Sequence, residues 1–319
     1  MPRFRTEAAR DSLLRRVRRQ RLKYITILPS LITILNGVCG FAAIVLAGKG
    51  TAPRLGQFTG EPGTPFVVFG GRSCLAMAGY MVLLAMIADM LDGRVARMSQ
   101  STSSFGGQLD SLCDIVSFGV APAFLMLKVL EYKLAGSTGL NPGLASLLHR
   151  FIWLVAAAYI SCTAIRLARF NVENEQDESA HMSFMGLPSP AAAGVIVSLV
   201  IFHQETLPEL YTKNTQAYEI CENAIMYILP FVVLGIAVLM VSRIRYPHIL
   251  NQYIRGKKPF AHFIRALLFL GLIIWSRQAA LVLIFCGFAA SGFARWFYYK
   301  LLGSRLAIRR EIKAPNVVE

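Results

Sequence analysis

Acidic side chains are scarce in this sequence. Its 319 residues hold 18 Asp and Glu against 33 Lys and Arg, and only 16% of residues are charged at all. A soluble domain of this length carries about 25% charged residues, so a water-soluble globular chain is excluded. Cysteine is sparse and scattered. The six residues Cys39, Cys74, Cys113, Cys162, Cys221 and Cys286 form no C-x-x-C, and no two lie closer than 35 positions. That spacing excludes a zinc ribbon or a disulfide framework and reads as small apolar core residues. The five histidines, at 149, 181, 203, 248 and 262, are equally dispersed, which argues against a histidine-built metal site. There is no low-complexity tract, no clear internal repeat and no long polar stretch that would make a soluble domain. The net charge of +15 is not interleaved with aromatics on a polar face, so nucleic acid is not expected as a partner.

What is present is apolar sequence, 55% of the chain, gathered into runs of bilayer-spanning length. The expected fold is all-α and polytopic in the membrane, with spans near 25–47, 72–92, 106–127, 149–169, 188–204, 223–243, 262–276 and 278–299. Residues 1–24 carry nine Lys or Arg, with Leu13, Leu14, Val17 and Leu22 at helical spacing. They read as an amphipathic helix lying on an anionic phospholipid surface. The run after them is too long for a signal peptide's apolar stretch. With both termini on the cytoplasmic side, 25 of the 33 Lys and Arg fall in inside segments and 8 outside, the expected bias. The organisation expected is a basic segment 1–24, a catalytic core 25–204, further spans over 205–299 and a basic tail 300–319.

The scarcity of acids makes one place conspicuous. Asp89, Asp92, Asp110 and Asp114 fall within 26 residues, at the ends of two apolar runs. An acid near the bilayer centre costs roughly 2.5 kcal/mol or more, so something must offset it. Asp89 and Asp92 are three apart and Asp110 and Asp114 four apart, so each pair shares one helix face. The Ser- and Thr-rich link 98–105 turns the chain back and lets the two faces meet. Carboxylates brought that close call for divalent cations. Oxygen-only ligands suit Mg²⁺, Mn²⁺ or Ca²⁺, and two such ions would clamp a diphosphate. Gly93 and Ala96 leave room beside the helix, Gly106 lets the second helix approach, and Arg97 suits a phosphate. The bland alternative, acids paired with Arg94 and Arg97 at solvated helix ends, does not account for the whole pattern D-x2-D-G-x2-A-R-x8-G-x3-D-x3-D. Eight fixed positions at residue frequencies near 7% arise by chance about once in 10⁹ starts.

This pattern, matched at every position, resembles the signature of the CDP-alcohol phosphotransferase family. The resemblance implies a homodimeric membrane enzyme with a metal-containing site facing the cytoplasm. It implies that Asp89, Asp92 and Asp110 are metal ligands, that Asp114 both touches metal and serves as general base, and that Gly93, Ala96 and Arg97 line the cytidine-diphosphate pocket. Leu28-Pro29-Ser30-Leu31-Ile32-Thr33-Ile34-Leu35-Asn36-Gly37 resembles the family's P-N-x-x-T-x-x-N opening, with Ser30 in place of Asn. Thr33 and Asn36 are then either nucleotide contacts or hydrogen-bonding groups inside the bundle.

Three further runs resemble the branch of bacterial and archaeal cytoplasmic membranes that uses L-serine as acceptor: Ile115 to Ala123, Arg166-Leu167-Ala168-Arg169-Phe170-Asn171, and Phe184 to Ala193. Arg166, Arg169 and Asn171 suit an acceptor that carries a carboxylate, unless the arginines are only anchors at a helix end. Gly186 to Pro190 reads as a stiff turn before the fifth span. The implied donor is CDP-diacylglycerol. Glycerol 3-phosphate and inositol phosphate are rival acceptors, and outside the class a divalent-cation transporter is the rival function.

Overall fold

In a computed structural model of the chain, the described residues are 29–50, 73–99, 104–136, 141–176, 186–208, 215–244 and 276–311. Almost all of them are helical, as apolar sequence in a membrane requires: only a helix satisfies its own backbone where water is absent. We number the helices α1 (Pro29–Lys49), α2 (Cys74–Ser99), α3 (Ser104–Asp114), α4 (Ala121–Gly136), α5 (Pro142–Gln176), α6 (Ser189–Glu205), α7 (Thr215–Val241) and α8 (Arg277–Glu311). One π-helical turn, Ile115–Val120, joins α3 to α4 without a break. The expected third span, 106–127, is thus the middle of a longer composite rod.

Among the described residues, six helices are long and apolar enough to cross a membrane: Pro29–Lys49, Cys74–Val95, Phe105–Leu134, Pro142–Val172, Thr215–Val241 and Arg277–Arg295. The sequence reading expected eight. The difference has two parts. The expected span 188–204 is α6, with only 17 residues, a rise of about 26 Å against a hydrocarbon core of about 30 Å. It is surrounded by protein: ten of its residues are buried, and it touches α2, α4, α5, α7, α8 and the π turn. The expected span 262–276 falls, except for Ser276, outside the described residues, as does the expected amphipathic helix at 1–24.

The apolar core runs through the centre of this bundle. Val82 and Ala85 of α2, Leu125 and Met126 of α4, Val155 and Tyr159 of α5, Ile196 and Val197 of α6 and Val233 and Ala237 of α7 are all completely or almost completely buried in it. Large apolar side chains such as Phe41, Trp153, Phe231 and Leu283 stay exposed on the outside, the arrangement of a bundle solvated by lipid.

Two glycines fix the geometry around the acidic motif. Gly40 of α1 lies against the π turn, where an added Cβ would stand 2.7 Å from the Ser117 Cα. No flexible side chain can yield at that contact. Gly40→Ala is therefore expected to lower stability by about 1–3 kcal/mol and to lower turnover with it, because α1 must move away from the turn that follows Asp114. Thermal unfolding of the purified variant checks the first effect and product release the second. Gly186 has φ +83°, a conformation that suits glycine. Its N–H donates to Ile244 O at 2.9 Å and the Leu187 N–H to Leu239 O at 3.1 Å, tying the start of α6 to the end of α7.

Candidate active site

The two acidic faces meet as their spacing predicts. Carboxylate oxygens of Asp89 and Asp92 on α2 and of Asp110 on α3 lie within 4.8 Å of one another. Asp114, one turn beyond Asp110, is buried with 7% of its surface exposed, and its Oδ1 accepts a hydrogen bond from Asn36 Nδ2 at 2.9 Å. Asn36 is fully buried on α1, and its own carbonyl accepts from the Ser117 hydroxyl at 2.9 Å. α1 therefore grips both sides of the junction between α3 and the π turn. Thr33, one turn earlier on α1, donates to Pro29 O at 3.0 Å and lies against Asp92. Both side chains make hydrogen bonds inside the bundle.

The π turn has a sequence cause. Pro122 has no N–H and so cannot donate to the carbonyl four residues back, that of Phe118. The buried Tyr159 hydroxyl on α5 donates to that carbonyl instead, at 2.9 Å. Thr163, one turn further along α5, donates to Tyr159 O at 2.8 Å and packs on Gly119. The Ala121 N–H reaches back to Val116 O, the wider turn that closes the device. Such a turn is characteristic of functional segments of helices, and here it directly follows Asp114. Sequence reasoning did not single out Tyr159; the signal available was a proline in an apolar run, which leaves a carbonyl in need of a donor.

The electrostatics call for positive charge. Arg166 of α5 lies within electrostatic range of Asp89 and Asp114. Asp92 Oδ2 and Asp110 Oδ1 are buried and have no hydrogen-bond partner among the described residues. Buried carboxylate oxygens without donors are costly. Oxygens this close, all of them hard donors, fit a divalent cation of the Mg²⁺, Mn²⁺ or Ca²⁺ kind. Among the described residues, nothing lies within 4 Å of the position a Cβ would take at Gly93, which leaves the α2 backbone approachable by a ligand on that side. Ala96 and Arg97 continue α2, but their side chains lie outside the described residues.

The expected acceptor residues separate. Arg166 turns inward and gives a hydrogen bond from Nη1 to Ser189 Oγ at 2.9 Å, so it is not an anchor reaching for the lipid surface. Asn171 is bound to Ser111 of α3: its Nδ2 donates to Ser111 Oγ at 2.9 Å, while the Ser111 hydroxyl is 3.1 Å from Gly107 O and 3.3 Å from Asn171 Oδ1. That pair staples α5 to the helix carrying Asp110 and Asp114. Arg169 is half-buried between them on α5.

A family profile described as CDP-alcohol phosphatidyltransferase matches residues 26–241, which takes in α1 to α7. The chain belongs to the CDP-alcohol phosphatidyltransferase family. Among curated relatives, a CDP-diacylglycerol–serine O-phosphatidyltransferase of Helicobacter pylori is 34% identical over 223 residues, 70% of this chain and 80% of the relative. One of the same description from Methanocaldococcus jannaschii is 33% identical over 186 residues, 58% of this chain and 71% of the relative. An archaetidylserine synthase of Methanothermobacter thermautotrophicus is 30% identical over 225 residues, 70% of each chain. Within this CDP-alcohol phosphatidyltransferase, all four aspartates, Asn36, Tyr159 and Arg166 fall inside the matched region. α8, which packs on α6, lies beyond it.

Proposed function

We propose that the chain is a CDP-diacylglycerol–serine O-phosphatidyltransferase, moving the phosphatidyl group from CDP-diacylglycerol to the hydroxyl of L-serine and releasing CMP. The observation that carries this reading is the convergence of Asp89, Asp92 and Asp110 beside a buried Asp114, in a chain of this family. Serine as acceptor is supported by the relatives, whose names share serine while differing in the lipid, and by the inward-facing Arg166.

Each residue then has a role. Asp89, Asp92, Asp110 and Asp114 hold divalent metal, with two ions fitting four carboxylates. When bound, the metal supplies charge neutralisation for the diphosphate and for the leaving CMP. Gly93, Ala96, Arg97 and Thr33 line the cytidine-diphosphate pocket, with Gly93 giving the closest approach. Asn36 holds Asp114 Oδ1, leaving Oδ2 to take the proton of the serine hydroxyl. The serine oxygen forms its bond to the phosphorus bearing diacylglycerol, and the bond from that phosphorus to the bridging oxygen breaks, so CMP departs with the electron pair. Arg166, with Arg169, receives the serine carboxylate. Asn171 supports the pocket through Ser111.

The bundle fits the cytoplasmic membrane of a bacterium or archaeon, with both termini on the cytoplasmic side and the acids near that face. The core 25–204, the further apolar sequence of 205–299 and the basic segment 300–319 belong to a chain that works as a homodimer. The nine Lys and Arg of segment 1–24 match an anionic phospholipid partner in charge.

The test is an acceptor comparison. Purified protein given CDP-diacylglycerol and divalent metal is expected to convert L-serine with kcat/KM at least about tenfold above glycerol 3-phosphate or inositol phosphate, releasing one CMP per lipid formed. A preference for either phosphorylated acceptor would overturn the serine assignment and leave the family chemistry standing. Uptake of divalent ions into proteoliposomes without CDP-diacylglycerol would favour transport instead.

A further inference from the structure

The Arg166–Ser189 hydrogen bond lies where the turn before α6 meets the acidic site, and the serine's position is rigidly set. Ser189 is the first residue of α6 and only 1% exposed. Proline flanks it on both sides, at 188 and 190. Pro188 holds φ −57° and ψ 139°, and Gly186 and Leu187 are tied by backbone hydrogen bonds to the end of α7. A side chain on so fixed a backbone has little freedom. Its oxygen takes one guanidinium N–H, from Nη1, at 2.9 Å. Arg166 Nε is buried and has no hydrogen-bond partner among the described residues, although Arg166 lies within electrostatic range of Asp114 and Asp89. One arm of the fork is thus held by protein, while Nε of the same guanidinium has no partner among the described residues.

We infer that Ser189 is the positioning residue that sets acceptor specificity: by holding Nη1 it orients the Arg166 fork so that its remaining donors receive the carboxylate of an amino-acid acceptor whose hydroxyl faces Asp114. This rests on the serine reading above and deepens it. The physical need is plain. An acceptor carrying its own negative charge must come up to four carboxylates, and a correctly aimed guanidinium is what makes that approach favourable. An unheld arginine would swing toward Asp89 or Asp114 and pair with the acids instead.

The test is Ser189→Ala in the full-length protein, with kinetics for both substrates and a comparison of L-serine with ethanolamine, which lacks the carboxylate. The variant removes one oxygen, and thermal unfolding checks that it is folded. The expected result is a KM for serine raised about tenfold, with kcat and the KM for CDP-diacylglycerol held within about twofold. The preference for serine over ethanolamine falls by the same factor. Because Ser189 acts through Arg166, the same substitution in an Arg166→Gln background is expected to change nothing further. An unchanged serine KM, a rise in the CDP-diacylglycerol KM instead, or additive effects in the double variant would each overturn the inference while leaving a serine-using enzyme in place. If the unaltered protein makes no lipid from serine, the functional reading falls and this inference falls with it.

Discussion

Asp114→Asn is expected to leave a folded membrane protein whose turnover is lower by about 10²–10⁴-fold, the range for loss of a general base. The substitution keeps the shape of the side chain. The new amide oxygen accepts from Asn36 Nδ2 as Asp114 Oδ1 does now at 2.9 Å, so the grip of α1 on this junction survives. What disappears is the second oxygen as a proton acceptor, together with one negative charge. Asp114→Ala separates the two roles. It removes the base and also strands the buried Asn36 donor, which costs about 1–3 kcal/mol. The alanine variant should therefore unfold at lower temperature than the asparagine variant while being no less inactive. CMP release and thermal unfolding of the two purified proteins, side by side, decide the matter. Near-full turnover in the asparagine variant would remove Asp114 from the chemistry.

That the four acids could be found at all follows from how costly they are. In an apolar run almost any residue is tolerated, but a carboxylate is not, so Asp89, Asp92, Asp110 and Asp114 stand out and their spacing gives their faces. Arg166 was legible for the same reason. The π turn was not. Its cause is split between Pro122, visible in the chain, and a hydroxyl at Tyr159, 41 residues from the carbonyl it satisfies. Only the fold brings those two together. Asn171 shows the opposite difficulty: a polar residue at a helix end can meet a ligand or another helix, and its Nδ2 donates to Ser111 Oγ on α3. α6 was legible in type and length but not in its surroundings. A helix apolar all round reads the same whether lipid or protein surrounds it, and only the fold shows the ring of neighbouring helices around α6. The run around Ser189 reads as a stiff turn, which it is; that its hydroxyl meets an arginine from α5 is a tertiary fact with no local signal.

Removing divalent ions with EDTA is expected to abolish turnover, and adding Mg²⁺ or Mn²⁺ to restore it. The reasoning begins with repulsion. Three carboxylates with oxygens inside 4.8 Å, and a fourth one turn away, cannot all stay ionised and close in a water-poor site without positive charge between them. Arg166, within electrostatic range of Asp89 and Asp114, offsets part of that charge. The same reasoning yields a second result, in stability, with a definite sign. Without metal, Asp110→Asn relieves repulsion, so the variant should unfold at the same or a higher temperature than the unaltered protein. With saturating Mg²⁺ the order should reverse, because the unaltered site gains more from the ion. Asp92→Asn and Asp110→Asn should each raise the metal concentration for half-maximal activity by about tenfold or more, since affinity for hard cations follows the number of charged ligands. The crossing of the two stability curves distinguishes a metal site from a cluster of acids that matters only for packing, in which case removing a carboxylate would shift stability by the same amount with and without the ion. Full turnover in metal-free buffer would mean that the charge balancing these acids comes from the protein, and Arg166 and Arg97 would be the first residues to substitute.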